Sequence, residues 1–221
     1  MLKQSAMLGR FRQVLLLLLC LPLLATAATD PKQVIQQTMN NLLQDLDTHR
    51  EVYRKDSHAL YNAIDRILVP VIDVNGISRS VMTVKYSHRA TPEQMKRFSE
   101  NFKNSLMQFY GNALLEYDRS DSVKILSSRI EDNDRATVGM QINGNNGVTY
   151  PVTATMVPSG DSWKLHNIII NGINIGKLFR DQFADAMNRN HNDLDKTINN
   201  WGAEVAKVKD SEAGQQAVGK K

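Results

Sequence analysis

Alternating apolar and polar residues mark the second half of the chain. Four segments there are rich in β-branched residues and are separated by Asp, Asn, Gly and Pro; they are 123–131, 135–142, 148–157 and 163–170. Within the second segment, apolar residues take every other position from Ala136 through Val138 and Met140 to Ile142. A period of two is typical of a strand with one buried face, so this half predicts a four-stranded antiparallel meander with one apolar side.

Helical spacing of apolar residues predicts helices on either side of this sheet. Asp30 and Pro31 open a first segment, a second covers 53–68 and ends before Pro70, and a short third helix covers 77–84. The helical spacing of apolar residues returns after Gly172 and Gly176 and is interrupted near 190–192. The apolar residues of that last region are Phe179, Phe183, Met187, Leu194, Ile198, Trp201 and Val205.

The strongest helix signal lies just before the sheet. Thr91, Pro92 and Gln94 form the pattern of a capping box, in which Thr91 is the N-cap, Pro92 takes the first helical position and Gln94 reaches back. One apolar stripe of about 25 residues follows at spacings of three and four. Its members are Met95, Phe98, Phe102, Leu106, Phe109, Ala113 and Tyr117.

The first 27 residues have the pattern of a cleavable signal peptide. Lys3, Arg10 and Arg12 precede an apolar run over 14–24, and Ala25-Thr26-Ala27 gives a cleavage motif. The run is too short for a membrane span, which needs about 20 apolar residues. We therefore predict export, a single domain over 28–206, and a disordered polar tail over 207–221.

Removing the signal peptide changes the composition of the chain. It takes away Cys20, the single cysteine, and three of the 27 basic residues, so 24 basic residues remain against 23 acidic ones. Disulfides and thiolate chemistry are thereby excluded from the mature domain. Basic and acidic residues also alternate without a basic stripe, which argues against nucleic acid as a partner.

Motifs for catalysis or metal binding are nearly absent from the sequence. The five histidines do not have metal-ligand spacing, and the segment 172–177 is one residue short of a phosphate loop. Asp73 and Tyr86 are the nearest candidates for an acid or a base, and the sequence shows no partner for either. We expect no catalytic residue, no metal and no cofactor.

An aromatic helix facing a sheet with one apolar side has two interpretations. The apolar surfaces form either an ordinary core or the wall of a cavity for an apolar ligand, and periodicity does not distinguish them. Three functions remain open at this point: a carrier of apolar cargo, an enzyme acting on an apolar substrate, and a chaperone or adaptor with an apolar groove.

Five blocks in this order resemble the MlaC family, known in toluene-tolerance nomenclature as periplasmic substrate-binding subunits. They lie at 75–86, 90–98, 110–117, 162–173 and 180–183, and the similarity extends over about 31–205. Asn167 departs from the aspartate expected there. The resemblance implies an α+β fold similar to nuclear-transport-factor-2-like domains, in which helices pack around a curved antiparallel sheet and enclose an apolar cavity.

The resemblance also implies a function. Members of the family carry phospholipid through the periplasm between an outer-membrane lipoprotein complex and an inner-membrane ABC transporter with an MCE-domain subunit, which maintains outer-membrane lipid asymmetry. We expect the same of this chain, acting as a monomer with phospholipid as cargo.

Candidate lipid contacts are the inward-facing residues of the predicted elements. On the long helix and the sheet they are Phe102, Leu106, Phe109, Tyr110, Val138, Met140, Val152, Ala154 and Met156. Near the end of the domain they are Leu165, Ile173, Phe179 and Phe183.

Overall fold

A computed structural model describes residues 29–116, 122–132, 134–143 and 148–217. The predicted signal peptide and Tyr117 lie outside these ranges. In the described residues, four α-helices precede the sheet: α1 (Pro31–Lys55), α2 (Ser57–Leu68), α3 (Val74–Ser87) and α4 (Pro92–Tyr110). Short 3-10 turns, Val69–Val71 and Gly111–Glu116, follow α2 and α4.

Side-chain caps set the starts of these helices. Asp30 caps α1 and Asp56 caps α2, so the break between the two helices falls at Asp56 rather than at Tyr53. The capping box of α4 is present, with Thr91 and Gln94 bonded to each other's backbone amides. The apolar stripe continues past Tyr110, but the α-helix ends there and a 3-10 turn carries the chain onward.

Five antiparallel strands form one sheet in sequential order, which confirms the predicted α+β fold. They are β1 (Ser122–Asp132), β2 (Arg135–Asn143), β3 (Thr149–Ser159), β4 (Ser162–Ile170) and β5 (Ile173–Asn174). The predicted meander corresponds to the first four strands. The two-residue β5 was missed because Asn171 and Gly172, with φ of 52° and 82°, make a tight hairpin turn there.

Four helices complete the described chain: α5 (Ile175–Arg189), α6 (Leu194–Asn199), α7 (Trp201–Asp210) and α8 (Glu212–Ala217). The interruption predicted near 190–192 is confirmed, with His191 and Asn192 at positive φ. The tail differs from the disordered segment expected from 207 onward. Val208 and Ala217 are buried, and polar composition concealed these few apolar anchors.

Three groups of buried residues hold the fold together. The helical cluster joins α3 to α7 and comprises Val81, Met82, Tyr86, Phe98, Phe102, Phe179, Phe183, Met187, Ile198, Trp201, Val205 and Val208. The sheet cluster comprises Val34, Ala136, Val138, Met140, Val152, Ala154, Met156 and Trp163. The hairpin cluster joins α1 to α2 and comprises Leu42, Leu46, Tyr53, Leu60, Ala63 and Ile64. An apolar cavity lies between the helical and hairpin clusters.

Candidate functional site: an apolar cavity

A cavity of about 320 Å³ opens between α2, α3, α4, β4 and the start of α5. Its volume lies at the lower end of the range of roughly 300–1,000 Å³ found for ligand pockets. The apolar lining residues are Ile64, Leu68, Val69, Ile72, Val74, Ile77, Phe102, Leu106, Met107, Leu114, Leu165, Ile168, Ile175 and Phe179. Such a wall suits an apolar ligand, because a polar ligand would lose its hydration there without gaining hydrogen bonds.

Five of the candidate lipid contacts line this cavity. Phe102, Leu106 and Tyr110 project from consecutive turns of α4, Leu165 comes from β4, and Phe179 comes from α5. Helical spacing places the α4 residues on one face. Their contact with lipid stays a prediction, but the structure does bring them together around one empty space.

The other candidates lie elsewhere in the described structure. Five residues of β2 and β3 are buried in the sheet cluster, where Val34 and Ile35 of α1 cover them; they are Val138, Met140, Val152, Ala154 and Met156. Phe183 is in the helical cluster, Ile173 is in β5, and the side chain of Phe109 is outside the described part of the chain. The sequence showed which sheet face is apolar but not that α1 fills it.

Sequence analysis missed most residues of the opposite wall. These come from the end of α2, the turn after it and the start of α3, including Leu68, Ile72 and Ile77. Helical spacing did predict the helix over 53–68 that ends at Leu68. It gave no sign that this end of α2 turns toward α4, because that placement depends on tertiary packing.

Four lining residues bring polar groups to the cavity: Lys103, Tyr110, His166 and Asn167. Burial raises the pKa of the Tyr110 phenol to about 12, with a further contribution from the carboxylate of Asp210. The phenol therefore stays neutral at physiological pH. A neutral group costs far less to bury in an apolar wall than a charged one.

Asp73 has a partner that the sequence did not reveal. Its Oδ2 lies 2.9 Å from Nδ1 of His166, and its Oδ1 accepts a hydrogen bond of 3.0 Å from the backbone amide of Gly76 at the start of α3. The pair thus links α3 to β4 beside the cavity. Tyr86 also has a partner, since its hydroxyl donates to Oδ1 of Asn192 at 2.8 Å.

Asn167 fixes the start of α5 against β4. Its Oδ1 accepts a hydrogen bond of 3.0 Å from the backbone amide of Gly176. A Cβ at position 176 would lie 2.5 Å from that oxygen, so glycine permits the close approach. The amide therefore performs the acceptor role that a carboxylate would also supply, without placing a charge beside the cavity.

A second, more polar groove of about 960 Å³ lies between α3 and α4. Its charged and titratable residues are Arg79, His88, Lys96, Glu100 and Lys103. Val69, Val74 and Lys103 line both this groove and the apolar cavity. The two spaces therefore adjoin at these three residues.

The described residues contain neither a cluster of metal ligands nor a candidate membrane span. No three His, Cys, Asp or Glu side chains among them lie close enough to hold a metal ion. Within the same ranges, no helix is both long enough and apolar enough to cross a membrane.

Comparison with known proteins identifies relatives over most of the chain. The MlaC protein family model matches residues 36–203. The chain is 58% identical over 198 residues to the toluene tolerance protein ttg2D of Pseudomonas putida, covering 90% of this chain and 92% of that protein. It is 22% identical over 181 residues to the intermembrane phospholipid transport system binding protein MlaC of Haemophilus influenzae, covering 80% and 75% respectively.

A solved structure shares the fold. It is that of a phospholipid-binding protein from Ralstonia solanacearum in complex with a phospholipid, which superposes with a TM-score of 0.73 and 21% sequence identity. The match covers 81% of this chain and 99% of that one.

Proposed function

Because this chain belongs to the MlaC protein family, we propose that it is a periplasmic phospholipid carrier whose acyl-chain site is the apolar cavity. The observation that carries the proposal is the cavity wall, where fourteen apolar side chains surround one opening between helices and sheet. Relatives over most of its length are named for phospholipid transport and toluene tolerance.

The energetics of transfer fit a carrier. Each buried methylene contributes about 0.8 kcal/mol relative to water. A lipid with two long acyl chains therefore hardly leaves a membrane through water alone. Moving from a bilayer into an apolar cavity exchanges one apolar surrounding for another, so the free-energy difference is small and partners can drive transfer either way.

The partners in this proposal are two membrane complexes. One is an outer-membrane lipoprotein complex and the other is an inner-membrane ABC transporter with an MCE-domain subunit. The carrier would serve as the transporter's substrate-binding component, reach the periplasm through its signal peptide, and act as a monomer in maintaining outer-membrane lipid asymmetry.

The carrier needs no bond-breaking step. Both carboxylate oxygens of Asp73 are already engaged, one with the Gly76 amide and the other with His166. This arrangement supports a structural role for the pair, which joins α3 to β4. In our proposal the bound lipid therefore leaves the protein chemically unchanged.

The test is to purify the mature protein without detergent or denaturant, extract it with organic solvent, and analyse the extract by mass spectrometry. We expect phospholipid in stoichiometric amount and no lysophospholipid. An empty protein, or one that holds a peptide segment, would contradict the carrier. Conversion of added phospholipid to lysophospholipid would instead indicate an enzyme.

A further inference from the structure

Lys103 occupies a distinctive position on α4. It lines the apolar cavity, which otherwise has almost no charge, and it also lines the polar groove between α3 and α4. Among the described lining residues of the cavity, it is the one lysine or arginine. An amphipathic ligand placed in the cavity would therefore meet a cation where the apolar space meets the polar one.

Two of the other polar residues in the cavity wall, His166 and Asn167, hold the wall together. His166 pairs with Asp73 at 2.9 Å, and Oδ1 of Asn167 accepts from the Gly176 amide at 3.0 Å. These contacts tie β4 to α3 and α5. Of the four polar lining residues, Lys103 is the one with a permanent positive charge, which favours an anionic ligand.

The groove beyond Lys103 carries excess positive charge. Arg79 and Lys96 join Lys103 there, against the single carboxylate of Glu100. Within the described part of the chain, neither Arg79 nor Lys96 forms an ion pair, and both are exposed. Charges of one sign in a concave surface raise the local concentration of an oppositely charged group.

Lys103 forms an ion pair with Asp65 of α2. Its Nζ donates to Oδ1 of Asp65 at 2.7 Å, and the side chains are 28% and 46% exposed respectively. An ion pair this exposed contributes little to stability. Water can solvate the Asp65 carboxylate when it is released, so a phosphate can replace it on Lys103 at low cost.

We infer that Lys103 binds the phosphodiester of the cargo lipid in exchange for Asp65, and that the head group then lies in the groove between α3 and α4. The acyl chains occupy the apolar cavity. This inference rests on the proposed function and adds the ligand chemistry to it: an anionic diacyl lipid is favoured over a neutral one.

Competition between two lipids tests the site. Delipidated protein is equilibrated with phosphatidylcholine vesicles that contain equal amounts of phosphatidylglycerol and a diacylglycerol with the same acyl chains, and the bound lipids are quantified. Lys103→Gln removes one charge-assisted contact with the phosphodiester. We therefore predict that it lowers the bound ratio of phosphatidylglycerol to diacylglycerol about tenfold. Asp65→Asn should raise that ratio severalfold, because it removes the competing anion.

Lys177→Gln is the matched control. Lys177 also pairs with an aspartate, Asp181, but it lines neither space, so the ratio should not change. Arg79→Gln provides a second test in the groove and should lower the ratio less than Lys103→Gln does. Melting temperatures close to that of the wild type would show that the variants are folded.

The inference is wrong if Lys103→Gln leaves the ratio unchanged or lowers the binding of both lipids equally. It is also wrong if delipidated wild-type protein binds inorganic phosphate tightly through Lys103, since the site would then serve a free anion. A wild type that takes up neither lipid would instead defeat the proposed function, so the two failures can be told apart.

Discussion

Glu204 is a buried carboxylate that the fold keeps charged. The residue is 6% exposed, and its oxygens accept hydrogen bonds from Lys207 at 2.9 Å and from Gln182 and Arg189. Burial by itself would raise the pKa of Glu204, but the hydrogen bonds from Lys207 and Gln182 and the charges of Arg189 and Lys207 outweigh burial and hold the pKa below its ordinary value of 4.5. This cluster ties α5 to α7.

A lowered pKa makes stability depend on pH with a definite sign. The stabilisation from Glu204 is present above pH 4.5, the unfolded value, and is lost as pH falls through the lower folded value. We predict that Glu204→Gln lowers the free energy of unfolding by about 1–2 kcal/mol at pH 7, because Arg189 and Lys207 lose their carboxylate but remain about half exposed to water. Below pH 4.5 the free energies of unfolding of the variant and the wild type should become more similar, because Glu204 becomes protonated in the wild type.

Urea unfolding between pH 3 and pH 7, a range chosen to span the carboxyl titration, measures this effect. Glu51→Gln is the control, because the Glu51 side chain is 73% exposed and its pair with Arg54 should contribute less than about 1 kcal/mol. If the free energies of unfolding of wild type and Glu204→Gln differed by the same amount at every pH, the charged form of Glu204 would not be the source of the stabilisation.

Thr83 adopts a backbone conformation that only glycine takes easily. Its φ of 63° and ψ of 162° interrupt α3 between buried Met82 and exposed Val84. Such a conformation costs a β-branched residue about 1–3 kcal/mol. The kink separates the half of α3 that lines the cavity from the half that packs Tyr86 into the helical cluster.

Thr83→Gly should therefore raise the free energy of unfolding by about 1 kcal/mol, after allowing for the greater entropy of glycine in the unfolded chain. Thr83→Ala is the comparison, since alanine keeps the strained backbone and should not stabilise. Urea unfolding measures the free energy of unfolding of both variants. Equal changes in this free energy for Thr83→Gly and Thr83→Ala would mean that the backbone at Thr83 is not strained.

Different interactions determine where the helices of this chain begin and where they end. Local side chains set the starts, as Asp30, Asp56 and Thr91 show by capping the backbone amides of α1, α2 and α4. Ends depend on packing. The apolar spacing of α4 runs on past Tyr110, yet the helix stops there. The polar segment from 207 onward forms the end of α7 and all of α8, because Val208 and Ala217 are buried.

The close packing of α8 against the end of α7 requires glycine at position 214, within α8. A Cβ there would lie 1.9 Å from the carbonyl oxygen of Val208, a backbone atom that has little room to move. We predict that Gly214→Ala costs about 1–3 kcal/mol and loosens α8. Thermal melting and limited proteolysis of the C-terminal segment measure the two effects.

Gly202→Ala in α7 gives the opposite expectation. The nearest atom to a Cβ at that position is Oγ of Ser105 at 3.5 Å, an ordinary contact. Alanine should stabilise the helix by up to about 1 kcal/mol, because it has the higher helix propensity. If both glycine variants melted at the same temperature, the close approach at Gly214 would be of no consequence.

At the scale of the whole molecule, the cavity exists because the apolar faces do not all close on one another. Phe98, Phe102 and Trp201 pack tightly, with ring centroids 5.2–6.0 Å apart. One turn further along α4, Leu106 faces open space. The same helix therefore supplies core at one end and cavity wall at the other.

Filling that space should exclude cargo without unfolding the protein. We predict that Leu106→Trp lowers the amount of phospholipid that copurifies by several fold, because the indole occupies part of the 320 Å³. It should also reduce the rise in melting temperature that bound lipid causes. Mass spectrometry and thermal melting provide the two measurements.

The matched control is Leu126→Trp in β1. Leu126 is 57% exposed and does not line the cavity, so the same change of side chain should leave lipid content unaltered. Wild-type lipid content in Leu106→Trp would refute our assignment of the cavity.

The sequence by itself determined most of the elements and their order, because periods of two and 3.6, caps such as Thr91 and turn residues such as Gly172 act over a few neighbouring residues. It also marked which faces are apolar. Only the tertiary structure decided which faces meet: Val34 of α1 covers Val138 and the rest of the central strands, while the face around Leu106 is left open. Periodicity indicates that a side chain points inward, whereas a cavity depends on which residues lie opposite that side chain.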